Sequence, residues 1–160
     1  MTTFERITEN TLKTALDIVN SNQLYNKMEN GQPLRSMSEI RKDFLNPVTE
    51  SFIIMKKQNP IGVLDFLPKN PKDDTPWLGL LMIHGKYHGF GFGKKAYLAF
   101  ENRLKQHLIH KVRLGVLQKN ERARMFWESF GFCCYGESEW EGKAVDCYEK
   151  RLDCGVCKWK

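Results

Sequence analysis

Apolar and polar positions divide the chain into short alternating elements. Thr3 to Ile7 predicts a first strand. Leu12, Ala15, Leu16 and Val19 recur at helical spacing and predict a helix over residues 10–22. Met37, Ile40 and Phe44 predict another, opened by the capping box Ser36-x-x-Glu39 and closed by Pro47. Between them, Gln23 to Arg35 holds Tyr25, Met28, Gly31 and Pro33 and reads as a mobile helix–helix connection. Strands follow over Ser51–Lys57 and Ile61–Phe66, turning at Gln58-Asn59-Pro60, and Pro68 to Asp74 forms a loop. Trp77 to Ile83 is apolar on both faces, as for a central buried strand. Gly79 within it marks a bulge or a close backbone approach.

The second half is more regular. Phe92, Ala96, Phe100, Leu104 and Leu108 recur every four residues and predict a helix from about Phe92 to His107. Lys111 to Leu117 alternates, with Val112, Leu114 and Val116 facing one way. This strand–helix–strand segment predicts a right-handed parallel crossover. Asn120 caps a further helix carrying Ala123, Phe126, Trp127 and Phe130 and ended by Gly131. Two closing strands, Phe132–Trp140 and Lys143–Leu152, turn at Glu141-Gly142. The fold class is α/β, a mixed, mostly antiparallel sheet of about seven strands with about four helices.

Length and composition narrow the class. With 160 residues the expectation is one domain, residues 1–152, and a short tail, residues 153–160. The longest apolar run, Trp77 to Ile83, is too short to cross a bilayer as a helix. Glu5 and the lack of an apolar stretch near the start argue against a secretory signal, so the expected location is cytoplasmic. The five cysteines, Cys133, Cys134, Cys147, Cys154 and Cys157, then read as reduced thiols. Cys154-x-x-Cys157 lacks the second pair a structural zinc needs, and His107-x-x-His110 would complete it only over a long range. No metal is expected, and the tail thiols read as exposed. Residues 91–125 carry nine Lys and Arg against Glu101 and Glu121, which points to an anionic partner. Nucleic acid is disfavoured, because the aromatics of that stretch fall on faces predicted to be buried rather than between the cations.

The sharpest chemistry is His88-Gly-Phe-Gly-Phe-Gly93-Lys-Lys, between a strand and a helix. Glycines bring backbone close to a ligand, and the helix start offers unpaired N–H groups and a positive dipole end. The pattern predicts a pyrophosphate cradle. It is not a P-loop, which would need Gly at 88 and Ser or Thr at 95. Gly91-x-Gly93-x-x-Ala96 matches the dinucleotide fingerprint, but eight residues separate Ile83 from Gly91 and the next strand ends without an acid.

Four pieces in order, Trp77–His84, Tyr87–Gly93, Leu114–Asn120 and Ala123–Phe132, resemble the GNAT-type N-acetyltransferase superfamily. The resemblance implies a GNAT-like sheet whose fourth and fifth strands are parallel and splayed, with acetyl-CoA as cosubstrate. It implies the pyrophosphate over His88, Gly89, Phe90, Gly91, Phe92, Gly93 and Lys94. The pantetheine arm would lie along Leu81, Met82 and Ile83, with Asn120, Ala123, Phe126 and Trp127 on its other side. The implied activity is acetyl transfer to a primary amine of a small molecule or peptide by direct attack. The alternative is a non-catalytic acyl-CoA-binding regulatory domain. No nucleic acid or membrane is expected as partner, and a homodimer is compatible. Two positions depart from the family pattern: His88 stands where Arg or Gln is usual, and Trp127 where a proton-donating Tyr is common. Indole N–H donates hydrogen bonds but is no useful acid. Met82 N–H is the expected oxyanion donor, and Asp65 the expected base or ammonium partner. Tyr25 and Glu29 are candidate substrate contacts, while Asp73, Asp74 and His84 are weaker candidate bases. Cys133 and Cys134 read as strand core rather than nucleophiles.

Overall fold

The structure, a computed structural model, describes residues 1–153. The expectation for Cys154 and Cys157 lies outside them. The elements are β1 (Thr2–Arg6), α1 (Leu12–Asn20), α2 (Gln23–Asn30), α3 (Met37–Phe44), β2 (Glu50–Lys56), β3 (Asn59–Leu67) and β4 (Trp77–Ile83), then α4 (Phe92–Gln106), β5 (Lys111–Leu117), α5 (Glu121–Ser129), β6 (Cys133–Trp140) and β7 (Lys143–Arg151). Short 3₁₀ turns at Glu9–Thr11 and Gly85–Tyr87 precede α1 and α4. The seven strands run β1-β2-β3-β4-β5-β7-β6, a mixed sheet. β4 and β5 are parallel, with Trp77 opposite Arg113. The β1/β2, β2/β3, β5/β7 and β6/β7 pairs are antiparallel. No helix among the described residues is long and apolar enough to cross a membrane.

The chain forms two compact units, the first Met1–Pro68 with Gly79–Asn102, the second Lys69–Leu78 with the chain from Arg103 on. In the first, α1 and α3 bury Leu12, Ala15, Ile18, Val19, Ile40 and Phe44 against Ile53, Val63 and Met82. The Phe100 ring of α4 meets Phe4 and Phe66 edge-on at 6.0 and 5.3 Å. In the second, Val112, Leu114 and Val116 are buried as their alternation predicts. Trp127 of α5 packs edge-on against Phe126 and Phe132 at 4.8 and 5.3 Å.

The predicted caps are where the sequence puts them. Ser36 and Glu39 form the reciprocal capping box of α3. Asn120 Oδ1 accepts from Ala123 N–H at the start of α5 (3.1 Å). Gly131, just past α5, has φ +90°. Four expectations are corrected. Residues 23–30 are a helix, closed by Gly31 at φ +83°, rather than a mobile connection. α4 ends at Gln106, so Leu108 lies beyond it at φ +59° and is exposed. β4 is not buried on both faces, since Gly79 is exposed and Leu80 and Leu81 are only half-buried. Cys134 is exposed and Cys133 half-buried, while Cys147 is the buried thiol of the β6–β7 pair. Gly79 marks a close approach: a Cβ there would touch Asp65 O and Oδ2 at 3.5 Å.

Candidate active site

The glycine loop of the first unit is built as a backbone surface. β4 ends at Ile83, the 3₁₀ turn Gly85–Tyr87 follows, and α4 starts at Phe92. Gly89 and Gly91 have φ +85° and +79°, which L side chains rarely adopt, and a Cβ on either would meet no protein atom within 4 Å. Lys95 N–H bonds Gly91 O, so the helix begins there. The first-turn N–H groups of a helix find no acceptor inside it; here they are those of Phe92, Gly93 and Lys94. Lys94 and Lys95 are exposed, as is Phe90. They open the fifteen-residue helix α4, whose dipole adds its positive end there. His88 does not reach out as a charged contact: its Nε2 donates to Ile83 O at 2.7 Å, so the imidazole braces the end of β4.

The stem of the loop is pinned by side chains that no local pattern announced. Ser21 Oγ accepts from Gly85 N–H (2.9 Å), and Asn22 Nδ2 donates to Ile83 O (3.1 Å). The approach is tight, since a Cβ on Gly85 would lie 2.9 Å from Ser21 O. Gly62 of β3 is tighter still, with Met82 O 2.5 Å from its would-be Cβ.

A second cluster of the same unit holds the predicted base. Asp65 is opposite Ser51 across the β2/β3 pair. Ser51 is buried, and its Oγ donates to Asp65 Oδ1 at 2.5 Å. Burial pushes the Asp65 carboxyl above its ordinary range, opposed by hydrogen bonds from Ser51 and Thr49 and reinforced by the nearby Asp43 charge. Asp43 is itself paired with Arg35 at 2.7 Å, and Arg35 also holds Glu39. Tyr25 OH donates to Glu29 within α2, and burial with the Glu29 charge drives its phenol well up. The expected Tyr25 and Glu29 contacts are thus one pair, and Arg35 bears on both sides, lowering Tyr25 and neutralising Asp43. Met82 is buried in the core cluster that Tyr25 and Leu80 flank.

The weaker candidates have other work. In the second unit, Asp73 accepts from Trp77 Nε1 (2.9 Å) and pairs with Arg113 (3.0 Å), which holds its carboxyl below the ordinary range against desolvation. Asp74 is exposed beside Lys69. His84 Nδ1 accepts from Lys86 N–H, and desolvation with the Lys86 charge lowers its pKa. Of the family-implied residues in this unit, Asn120 caps α5, Ala123 and Phe126 are half-buried, and Trp127 is buried among phenylalanines.

A family model for the acetyltransferase (GNAT) family matches residues 17–132. The chain belongs to this family. GNAT members among solved structures share its fold. An acetyltransferase from Thermus thermophilus is 21% identical, with 94% of this chain and 97% of that chain covered and a TM-score of 0.75. Spermidine N-acetyltransferase from Vibrio cholerae, in complex with CoA and spermine, is 18% identical over 96% of this chain and 97% of that one, TM-score 0.73. The ribosomal-protein-S18-alanine N-acetyltransferase of Escherichia coli is 13% identical over 95% and 94%, TM-score 0.72. No curated protein matches the sequence. The expected GNAT fold and acyltransferase class are therefore those of this chain.

Proposed function

We propose that this protein transfers the acetyl group of acetyl-CoA to a primary amine of a small molecule or peptide by direct attack, in the cytoplasm and without a metal. The observation that carries the cosubstrate is the loop at 88–93: two positive-φ glycines open to solvent, followed by the N–H groups of a long helix and two exposed lysines. These residues fit a pyrophosphate, and a side chain at 89 or 91 would fill the space it needs. Leu81 and Leu80 of β4, half-buried, leave an apolar strand for the pantetheine arm. Asn120, Ala123, Phe126 and Trp127 stay in this reading on the family resemblance.

In the reaction the amine nitrogen attacks the thioester carbonyl carbon. The C–N bond forms, the C–S bond breaks, and sulfur leaves with the electron pair as thiolate. The amine must first lose a proton, and Asp65 takes it. A carboxyl held above its ordinary range is a better base than a solvated one, because its pKa lies closer to that of the task. Met82 N–H is the proposed donor to the oxyanion. Trp127 supplies no acid. Tyr25 does not replace it readily, since its phenol is bonded to Glu29 and its pKa is raised. The thiolate therefore departs unprotonated and is neutralised in solvent.

The acceptor is tested by incubating the protein with acetyl-CoA and a panel of spermidine, a peptide with an N-terminal alanine and simple alkylamines. Acetylated amine is read by mass spectrometry. An acetylated product with one class is expected. Acetyl-CoA binding by calorimetry with no product across the panel would instead favour the non-catalytic acyl-CoA-binding domain, which the buried Trp127 also suits. No binding at all would remove both readings.

A further inference from the structure

We propose that Ser21 and Asn22 are positioning residues that hold the stem of the glycine loop and pass its occupancy to α2, the helix carrying Tyr25 and Glu29. This rests on residues 89–94 being the CoA cradle.

The two residues form the junction between α1 and α2 and are bonded in both directions. Toward the loop, the Ser21 hydroxyl takes the Gly85 N–H, and Asn22 Nδ2 shares Ile83 O with His88 Nε2. The last carbonyl of β4 is thus held from the helix side by Asn22 and from the loop side by His88. Toward the helices, Ser21 Oγ donates to Ile18 O (2.6 Å) and Asn22 Nδ2 to the same carbonyl (3.0 Å). Asn22 is also the residue on which α2 starts. Its backbone, at φ −112° and ψ 59°, is not helical, and its carbonyl accepts the Asn26 N–H at 3.0 Å. Asn26 in turn is buried, and its Nδ2 bonds Val19 O and Pro33 O, so α2 follows the junction as a fixed piece.

The fit between junction and stem leaves no slack, because Gly85 has no room for a Cβ beside Ser21 O. A shift of the stem on closing around a pyrophosphate must therefore move the junction or break its bonds. Either event reaches α2. Occupancy of the cradle and order in α2 are then linked, and linkage acts in both directions.

Amide hydrogen exchange reads this with CoA alone as the probe. In the native protein, CoA is expected to slow exchange at residues 89–94, and also at 23–30 by about five-fold or more. In Ser21→Ala/Asn22→Ala, with CoA raised to saturation, 89–94 is protected but the effect at 23–30 is lost; an effect kept at 23–30 would overturn the role of the two residues. Ser21→Thr, which keeps the hydroxyl, retains it. Should the double variant fail to fold, the native protein and Ser21→Thr decide the matter. Protection at 89–94 with unchanged exchange at 23–30 in the native protein would overturn the coupling and leave the cradle standing. Absence of protection at 89–94 would overturn the cradle, and the coupling with it.

Discussion

The loop at residues 88–93 and the carboxylate cluster around Asp65 belong to the same unit but are made of different material. The loop presents backbone: N–H groups, positive-φ glycines and empty space where side chains would stand. The cluster presents side chains whose character depends on neighbours. Asp65 departs from an ordinary surface carboxylate because Ser51 faces it across the strand pair and burial surrounds it. A backbone surface tolerates few substitutions at its own positions and is indifferent to most others. A side-chain cluster loses its chemistry through one atom and keeps its fold. The proposed cosubstrate side should thus fail in binding, and the proposed acceptor side in rate.

The largest effect expected is on rate. Asp65→Asn should lower kcat by roughly 10²–10⁴-fold, the usual share of a general base, with acetyl-CoA affinity unchanged by calorimetry. A variant with normal kcat would move the base elsewhere. Stability should respond in the opposite sense. The Asp65 carboxyl titrates above its ordinary value in the fold, so the native state binds its proton more tightly than the unfolded chain. The native protein should lose stability as pH rises from the ordinary carboxylate value through the raised one. Asp65→Asn should remove that loss, as read by urea midpoints across the window.

Gly91→Asp should weaken CoA binding by about 100-fold, close to 2.7 kcal/mol, by placing a carboxylate in the cradle. Calorimetry checks it, and an unchanged Kd would take the pyrophosphate away from this loop. Gly62→Ala offers the contrast, since its Cβ would meet the backbone of Met82 rather than enter the cradle. It should cost about 1–3 kcal/mol of stability in urea unfolding, and because it shifts the proposed oxyanion donor it should lower kcat more than it weakens CoA binding. The smallest effect is expected at Trp127→Phe. Neither side chain is an acid, so turnover should stay within about two-fold, with a packing cost of about 1 kcal/mol. Loss of turnover at intact CoA affinity would make the indole N–H a required donor.

The same contrast explains what could be read from the chain. Gly89 and Gly91 were legible because a left-handed backbone favours glycine for a local reason, the missing Cβ. The caps at Ser36 and Asn120, and the alternation of Val112, Leu114 and Val116, are local too. α2 was not, because its eight residues are mostly polar and its order comes from Asn26, buried and bonded to Val19 O and Pro33 O. Leu108 continued a four-residue spacing that the helix itself did not follow. Asp65 could be named as a strand-end acid, yet Ser51, Thr49 and the Arg35–Asp43 pair that set its proton affinity are assembled only by the sheet and α3. Ser21 and Asn22 gave no signal of their hold on the loop, since their loop partners lie more than sixty residues away.

The aromatic residues are distributed unevenly in a way that matters at the fluorimeter. Trp77, Trp127 and Trp140, the tryptophans among the described residues, all fall in the second unit. The first unit, with Tyr25, Tyr87 and Tyr97, is dark to excitation selective for indole. Trp127, shielded by Phe126 and Phe132, emits from an apolar setting, and exposed Trp140 from a watery one. An emission-based melting curve is therefore a record of one unit. Only its overlay with a backbone signal such as circular dichroism tells whether the glycine loop and its helices come apart in the same event.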